Sequence, residues 1–227
     1  MQQNTYILSL TTIPSKIDNL HITMDSFICQ TRMPNKIILN IPRKYSFRKN
    51  NTEIPIDKLT HFMEKYQQYN CVINMIDTDY GPGTKLLGLF ENEIIDMNNI
   101  NTYIILVDDD IIYKPYMIET FDTEIRLNNN INNIDVASFY GYNVGHIRIA
   151  QGVDGFLMKS MTLAYFLDYY EIIKHYDYVN YHDDFNISFY FHILNQKINI
   201  LTSPNDCSIY EYHKDTFTDA LCEIKGK

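Results

Sequence analysis

Three consecutive carboxylates, Asp108, Asp109 and Asp110, directly follow the apolar run at residues 103–107. Side chains alternate between the two faces of a strand, so we expect Asp108 and Asp110 on one side and Asp109 on the other. Carboxylates this close repel one another, and a hard divalent cation with oxygen ligands relieves that repulsion. The pattern predicts a metal site at the end of a buried strand; an acidic cap on an ordinary strand end is the alternative.

A glycine-rich turn, YGPGTK at residues 80–85, leads from a predicted strand into a predicted helix. Gly81 and Gly83 allow a ligand to approach the backbone closely, and Thr84 is placed to cap the helix. A helix N-terminus has free N–H groups and partial positive charge, and Lys85 adds a full positive charge, which suits phosphate. The turn lacks the Gly-Lys-Ser/Thr order of a Walker A loop, and a plain turn also explains its composition.

Asp183 and Asp184 form an acidic pair at the start of another predicted helix. Negative charge at a helix N-terminus is stabilising by itself, so a helix cap explains the pair. The functional interpretation makes one of the two a general base that takes the proton of an incoming hydroxyl. Both interpretations stay open on the residues alone.

Two weaker signals lie further along the chain. Gly152 and Gly155 flank Asp154 in QGVDGF, which is typical of a loop that a ligand approaches and also of an ordinary β-turn. His213, near the C-terminus, is a candidate metal ligand, although a lone histidine is more commonly a surface residue.

The elements that must position these residues alternate between strand and helix. Apolar runs predict strands at 6–10, 36–41, 71–76, 103–107, 135–139 and 198–201. Three-to-four spacing of apolar residues predicts helices at 15–28 (capped by Ser15), 59–66, 84–95, 116–127, 160–170 and 184–195. This alternation predicts an α/β fold with a mainly parallel sheet and helices on both faces. Ligands of such sheets bind beyond the carboxyl ends of the strands, where the acidic triplet and the glycine turn fall.

Composition limits the classes of protein to consider. The chain has 227 residues, 45% of them hydrophobic, and a formal net charge of −9. Such an acidic chain is a poor partner for nucleic acid or anionic membranes, and a nucleotide site in it needs a cation or a local basic pocket. The four cysteines form no CxxC pair, and no apolar run reaches the length of a membrane span. We therefore expect a cytoplasmic protein.

Taken together, the strand that ends in Asp108, Asp109 and Asp110 resembles the DxD motif of GT-A glycosyltransferases. The segment SLTTIPS at 9–15 is similar to the first strand and nucleotide loop of a small group of these enzymes found in bacteria and large DNA viruses. YGPGTKL at 80–86, GVDG at 152–155 and DDFNI at 183–187 also resemble segments of that group. The resemblance runs from about residue 6 to residue 201.

The resemblance implies one GT-A-like domain over 1–227, with a nucleotide-binding part at about 1–112 and an acceptor side at about 113–227. It implies a metal-dependent, inverting transfer of a sugar from a nucleoside diphosphate sugar, with a UDP-sugar favoured, to a hydroxyl of a glycan or other acceptor. The expected cofactor is Mn²⁺ or Mg²⁺. If the chain is viral, the expected location is the host cytoplasm.

Roles carried over from the resemblance place Asp110 on the metal and Asp108 on the metal or the ribose. The triple aspartate leaves the register open, so Asp109 is a further donor-side candidate. Thr11 would line the nucleotide pocket, and Lys85, with Gly83 beside it, would lie near the diphosphate or donor sugar.

On the acceptor side, Asp184 matches the base position. Asp183 stands where many relatives have Glu, which leaves the choice of base between these two neighbours open. Gly152, Asp154 and Gly155 would form an acceptor or sugar loop.

Three other classes compete with this interpretation. A sugar-phosphate nucleotidyltransferase shares the sheet and the metal, but usually has a glycine-rich basic loop after its first strand, and residues 11–15 contain no glycine. A haloacid-dehalogenase-type phosphatase has its DxD after the first strand, whereas this motif follows the fourth. A catalytically silent carbohydrate-binding module of the same fold stays open, and metal-dependent donor hydrolysis would exclude it.

Overall fold

The protein is described here by a computed structural model, which covers residues 3–47, 52–96, 99–128, 133–204 and 208–213. The strands in this part of the chain are β1 (Thr5–Thr11), β2 (Lys36–Pro42), β3 (Cys71–Ile76), β4 (Thr102–Leu106), β5 (Ile111–Tyr113), β6 (Val136–Ser138), β7 (Gly141–Val144), β8 (Ile147–Ala150), β9 (Phe156–Lys159), β10 (Asn199–Ile200) and β11 (Tyr210–Tyr212). The α-helices are α1 (Leu20–Ile28), α2 (Ile56–Tyr66), α3 (Thr84–Glu91), α4 (Met117–Asn128), α5 (Phe166–Ile173) and α6 (Asp183–Ile193).

Seven strands form the central sheet, in the order β10-β6-β9-β4-β1-β2-β3. β1 runs parallel to β2 and β4, β2 to β3, and β6 to β10. β9 runs antiparallel to both of its neighbours, β4 and β6. The predicted α/β fold with a mainly parallel sheet is confirmed. Two small antiparallel pairs, β5 with β11 and β7 with β8, lie outside this sheet.

The strand β1 explains why helices cover both faces of the sheet. Tyr6, Leu8 and Leu10 belong to a core cluster that includes residues of α1, α2 and α4. Ile7, between them in sequence, packs in a second cluster with residues of α3 and α6. The strand is therefore covered by helices on both faces. Strands of this kind consist mostly of apolar residues, which is why β1 to β4 could be predicted from the sequence.

Helix boundaries were the least accurate predictions. Ser15 does not cap a helix, because residues 14–19 form turns and α1 begins only at Leu20. The helix α3 ends at Glu91 and not at residue 95, because Glu93 adopts a φ of +51° and the N–H of Ile94 bonds back to the carbonyl of Leu89. This is the hydrogen-bond pattern of a Schellman C-cap, and it stops the helix.

The other predicted elements differ from the observed ones in smaller ways. Residues 160–170 divide into a 3₁₀ turn, Ser160–Leu163, and the start of α5. The sequence prediction missed β5, β7, β8, β9 and β11, which are only three or four residues long. No described helix has both the length and the apolar character that a membrane crossing requires.

Candidate active site

A cavity of about 430 Å³ opens at the carboxyl ends of β1 and β4, next to the start of α3 and the start of α6. Its lining includes eight of the residues singled out in the sequence: Thr11, Gly81, Lys85, Asp108, Asp109, Asp110, Asp183 and Asp184. The fold therefore brings the acidic triplet and the acidic pair, which are far apart in sequence, to one site.

Tyr113 holds the acidic turn in place. The backbone N–H of Asp108 donates to the Tyr113 hydroxyl at 2.9 Å, and that hydroxyl donates to the carbonyl oxygen of Gly152 at 3.1 Å. The Tyr113 side chain is 1% exposed, so this bridge is shielded from water. The sequence prediction missed Tyr113, because an aromatic residue in a short apolar run looks like ordinary core.

Lys16 neutralises one end of the triplet. Its Nζ lies 2.7 Å from Asp110 Oδ2 and 3.5 Å from Asp109 Oδ1. The Thr12 hydroxyl donates to Asp109 Oδ2 at 2.6 Å. Asp109 and Asp110 therefore share Lys16 and do not lie on opposite sides as predicted, because the chain turns at these two residues. Burial alone would lower the pKa of Lys16, but the charges of Asp109 and Asp110 raise it above its ordinary value. Lys16 was also missed; its position directly after the loop at 11–15 was the available signal.

Lys85 neutralises the other end of the acidic triplet, at Asp108. Its side chain is buried, and its Nζ lies 2.7 Å from Asp108 Oδ1 and 3.0 Å from Asp183 Oδ2. Burial alone would lower its pKa, yet the carboxylates of Asp108, Asp183 and Asp184 raise it well above the ordinary value. Lys85 thus carries a full positive charge between the acidic triplet and the acidic pair.

The second carboxylate of the pair has a different environment. The N–H of Gly152 donates to Asp184 Oδ1 at 3.0 Å. Burial and the neighbouring charge of Asp183 raise the pKa of Asp184 well above its ordinary value, and Lys85 opposes the shift. Gly152 leaves room for the ion pair, because a Cβ there would lie 2.7 Å from Lys85 Nζ and 3.0 Å from Asp108 Oδ1 and would displace these side-chain ends.

The cavity carries an excess of negative charge. Six aspartates and two lysines line it. Burial and repulsion from Asp109 raise the pKa of Asp110 to about 6, against the lowering effect of Lys16. Within the described residues there is no cluster of three or more side chains suited to hold a metal alone. Magnesium sites completed by substrate phosphates need only one or two carboxylates, and Asp108 and Asp110 fit a site of that kind.

Part of the cavity lining is aromatic. The rings of Phe47 and Tyr181 lie 4.6 Å apart between centroids, and both line the cavity. Asp79 joins the segment of Phe47 to the glycine turn, because its carboxylate accepts the N–H groups of Phe47 at 2.8 Å and of Gly81 at 2.9 Å. Gly81 has a φ of +59°, and a Cβ there would lie 2.7 Å from the carbonyl oxygen of Asn180. A cavity lined by both charged and aromatic side chains suits a ligand with a charged part and a flat ring.

Several predicted site residues do not line the cavity. Gly83 lies in the 3₁₀ turn Gly81–Gly83 that precedes α3. Thr84 does not cap the helix as predicted; it is the first helical residue, and its hydroxyl accepts the N–H of Tyr80 at 3.2 Å. His213 follows Tyr212, which lines the cavity and pairs with Ile111, so the strand register leads His213 towards the end of the acidic triplet.

The loop before β9 is mostly packed inwards. Gly155 has a φ of +71°, and a Cβ there would lie against the core residues Met117 and Phe121. Asp154 is 7% exposed, and its carboxylate makes no hydrogen bond with a described residue. Burial, and then the charge of Asp108, raise the pKa of Asp154 to about 6. Of the predicted sugar loop, only Gly152 contacts the site residues directly.

The structural comparisons define the class of fold. The chain is similar to residues 1–349 of TarS from S. aureus, alone (TM-score 0.57, 14% identity, covering 93% of this chain and 61% of that chain) and in complex with UDP (TM-score 0.55, 14% identity, 91% and 59%). It is also similar to the glycosyltransferase GlyE of Streptococcus pneumoniae TIGR4 (TM-score 0.50, 12% identity, 88% and 46%). A further similar structure is 4-diphosphocytidyl-2C-methyl-D-erythritol synthase (TM-score 0.50, 10% identity, 91% and 96%).

These likenesses establish a GT-A-like, Rossmann-like fold. The chain spans about three fifths of the TarS segment that it resembles. No protein-family model and no curated protein matches its sequence.

Proposed function

We propose that this protein is a metal-dependent glycosyltransferase. It moves a sugar from a nucleoside diphosphate sugar, for which we favour UDP, to a hydroxyl of a glycan or other acceptor, with inversion at the anomeric carbon. The observation that carries the proposal is the single cavity in which the acidic triplet, Lys85 and the acidic pair meet. A GT-A-like fold and the similarity to a structure solved with UDP support it.

Asp108 and Asp110 are the proposed metal ligands, with Asp109 and His213 as further candidates. Mn²⁺ or Mg²⁺ bound there would neutralise the negative charge that develops on the departing diphosphate. The ion pairs of Lys16 and Lys85 support this assignment, because both lysines already supply positive charge to the same carboxylates. In the donor complex we expect these ammonium groups to turn towards the phosphates.

Asp184 is the proposed base. A useful general base accepts a proton near the working pH, and the burial that raises the pKa of Asp184 favours that property. The charge of Asp183 is already compensated by Lys85 at 3.0 Å, which makes Asp183 the poorer proton acceptor. We therefore propose that Asp183 positions Lys85. The N–H of Gly152 orients the Asp184 carboxylate.

The aromatic wall of Phe47 and Tyr181 is the proposed seat of the nucleoside, and Thr11 lies in the same cavity. The Thr11 hydroxyl already donates to the carbonyl of Asn40 at 2.8 Å, so we expect it to shape the pocket rather than to bind the donor strongly.

A thermal-shift screen tests the proposal. UDP-, GDP-, dTDP- and CMP-linked sugars are compared with and without Mn²⁺, since a ligand that binds only the native state raises the melting temperature. We expect stabilisation by one nucleotide, in the presence of Mn²⁺ only. UTP and CTP with Mg²⁺ form a further arm of the screen. A nucleotidyltransferase would be stabilised by these nucleoside triphosphates and, when supplied with a sugar phosphate as second substrate, would release pyrophosphate.

The variant Asp110→Ala tests the metal assignment, with Asp57→Ala as control, since Asp57 is an exposed carboxylate on α2. We expect Asp110→Ala to abolish Mn²⁺-dependent donor binding, and Asp57→Ala to bind like the wild type. Equal donor affinity in the wild type and Asp110→Ala would refute the metal assignment.

A further inference from the structure

A second cavity, of about 420 Å³, lies between the β7–β8 hairpin, the C-terminal half of α6 and the segment that follows α6. Four of its lining side chains are basic: His146, Arg148, His192 and Lys197. No aspartate or glutamate is among its lining residues. We call it the basic cavity.

The cations of the basic cavity have no acidic partner among the described residues. Arg148 makes one hydrogen bond, from Nη1 to the carbonyl of Gly141 at 3.3 Å, and Lys197 makes none. Lys58 pairs with Asp18 at 2.6 Å and Lys65 with Asp25 at 2.9 Å, whereas the exposed Lys44 has no carboxylate partner among the described residues. In a protein with a net charge of −9, the gathering of four basic side chains around one depression, with no described carboxylate in its lining, points to an external anion.

A buried hydroxyl lies beneath the floor of the basic cavity. Ser188 on α6 is fully buried, and its Oγ accepts the N–H of Ala150 at the end of β8 at 3.1 Å. This hydrogen bond fixes the helix that carries His192 against the strand that carries Arg148.

Two elements connect the basic cavity with the active site. The helix α6 begins at the acidic pair, and a rise of 1.5 Å per residue places Ser188 about 6 Å and His192 about 12 Å further along its axis than Asp184. The strand β8, which carries Arg148, runs into Gly152, whose N–H binds Asp184. An acceptor whose hydroxyl lies at Asp184 is within one or two sugar units of the basic cavity.

We propose that the basic cavity binds the anionic groups, phosphate or carboxylate, of a negatively charged acceptor. The proposal rests on the proposed function, because it assigns the cavity to the acceptor of that reaction. A flat membrane surface fits less well, since the basic side chains surround a depression of about 420 Å³ that headgroups on a plane would not fill. The donor is not the occupant, because its phosphates belong with Lys85 and the acidic triplet in the other cavity.

Binding of inorganic tripolyphosphate, measured by calorimetry in EDTA, tests the site. Without metal the active-site cavity has six aspartates to two lysines and repels this probe. The variant Arg148→Ala/Lys197→Ala removes two charges from the basic cavity, and Lys58→Ala/Lys65→Ala removes two remote ones. We expect the Kd to rise at least tenfold in the first and less than twofold in the second.

An acceptor arm tests the assignment to the reaction. Transfer to methyl glycosides is compared with and without a 6-phosphate. We expect the phosphate to lower the KM in the wild type and not in Arg148→Ala/Lys197→Ala. An equal KM for both glycosides in the wild type would overturn the acceptor assignment.

The outcomes separate this inference from the proposed function. If tripolyphosphate does not bind, or if both double variants weaken its binding equally, the basic cavity is not an anion site. The proposed function still stands in that case, provided that UDP with Mn²⁺ stabilises the protein. Absence of any UDP–Mn²⁺ stabilisation refutes the proposed function and the acceptor assignment with it, even where tripolyphosphate binds.

Discussion

The two cavities of this protein differ in how their clustered charges are compensated. In the active-site cavity Lys16 and Lys85 are already paired with aspartates, at distances of 2.7 to 3.5 Å. In the basic cavity Arg148 and Lys197 have no described carboxylate partner. The first site holds its compensating charge within the chain, and the second lacks it.

The difference indicates two ways of binding. A ligand of the active-site cavity has to exchange partners with an existing ion pair, which favours a metal and a diphosphate arriving together. A ligand of the basic cavity only has to add charge, which favours weak, salt-dependent contacts with a repeating or extended anion. The following predictions test the active-site cavity, whose lysines and aspartates are already paired within the chain.

The largest expected effect is that of Asp184→Asn. Because a general base contributes about 100- to 10,000-fold to a rate, we expect turnover to fall by that factor, while UDP–Mn²⁺ binding stays within twofold. Single-turnover assays and thermal shift measure the two quantities. The matched variant is Asp183→Asn, which we expect to weaken donor binding through Lys85. If Asp183→Asn loses turnover at unchanged donor affinity and Asp184→Asn does not, the base is Asp183.

The next effect concerns stability and pH. Asp154 has a pKa of about 6 in the folded protein, above the ordinary value of 3.8, so the folded state binds more protons between these values. Ionising Asp154 therefore destabilises the native state as pH rises from 4 to 7. We expect Asp154→Asn to be neutral near pH 4 and stabilising above pH 6 by about 2 kcal/mol, as measured by urea unfolding without metal. A stability difference that does not change with pH would contradict this pKa.

A smaller effect is expected from Lys16→Met. This change removes the ammonium group that lies 2.7 Å from Asp110, so Mn²⁺ no longer competes with it. We expect the affinity for Mn²⁺ in the absence of nucleotide to rise about tenfold, by electron paramagnetic resonance titration, against no change in Lys58→Met. Weaker Mn²⁺ binding would show instead that Lys16 arranges the carboxylates for the metal.

The first half of the chain was largely predictable, and the reason is physical. The strands β1 and β2 are buried along almost their whole length and β3 in part, so all three appear as mostly apolar runs, and each was predicted to within a residue at either end. The acidic triplet was visible because charge directly follows such a run. The short strand β5 and its partner β11 were not, since their pairing joins residues about a hundred positions apart.

The ion pairs of the site were beyond sequence reasoning for a different reason. Nothing in the spacing of Lys16 and Lys85 shows that one faces Asp110 and the other bridges Asp108 and Asp183. Those contacts depend on how three strand ends meet in space. The distinction between Asp183 and Asp184 depends in the same way on which of them faces Lys85.

The reversed strand β9 has a consequence for how the protein can vary. Six strands of the central sheet run in one direction and end at the active-site edge, whereas β9 starts there. The segment between β6 and β9, which contains the β7–β8 hairpin, therefore leaves this edge and returns to it without entering the sheet. The length and side chains of the β7–β8 hairpin can change while the contacts of Gly152 and the register between β4 and β9 are preserved. This edge of the molecule can thus be reshaped by rebuilding one excursion of the chain, with β4 and the acidic triplet that follows it left untouched.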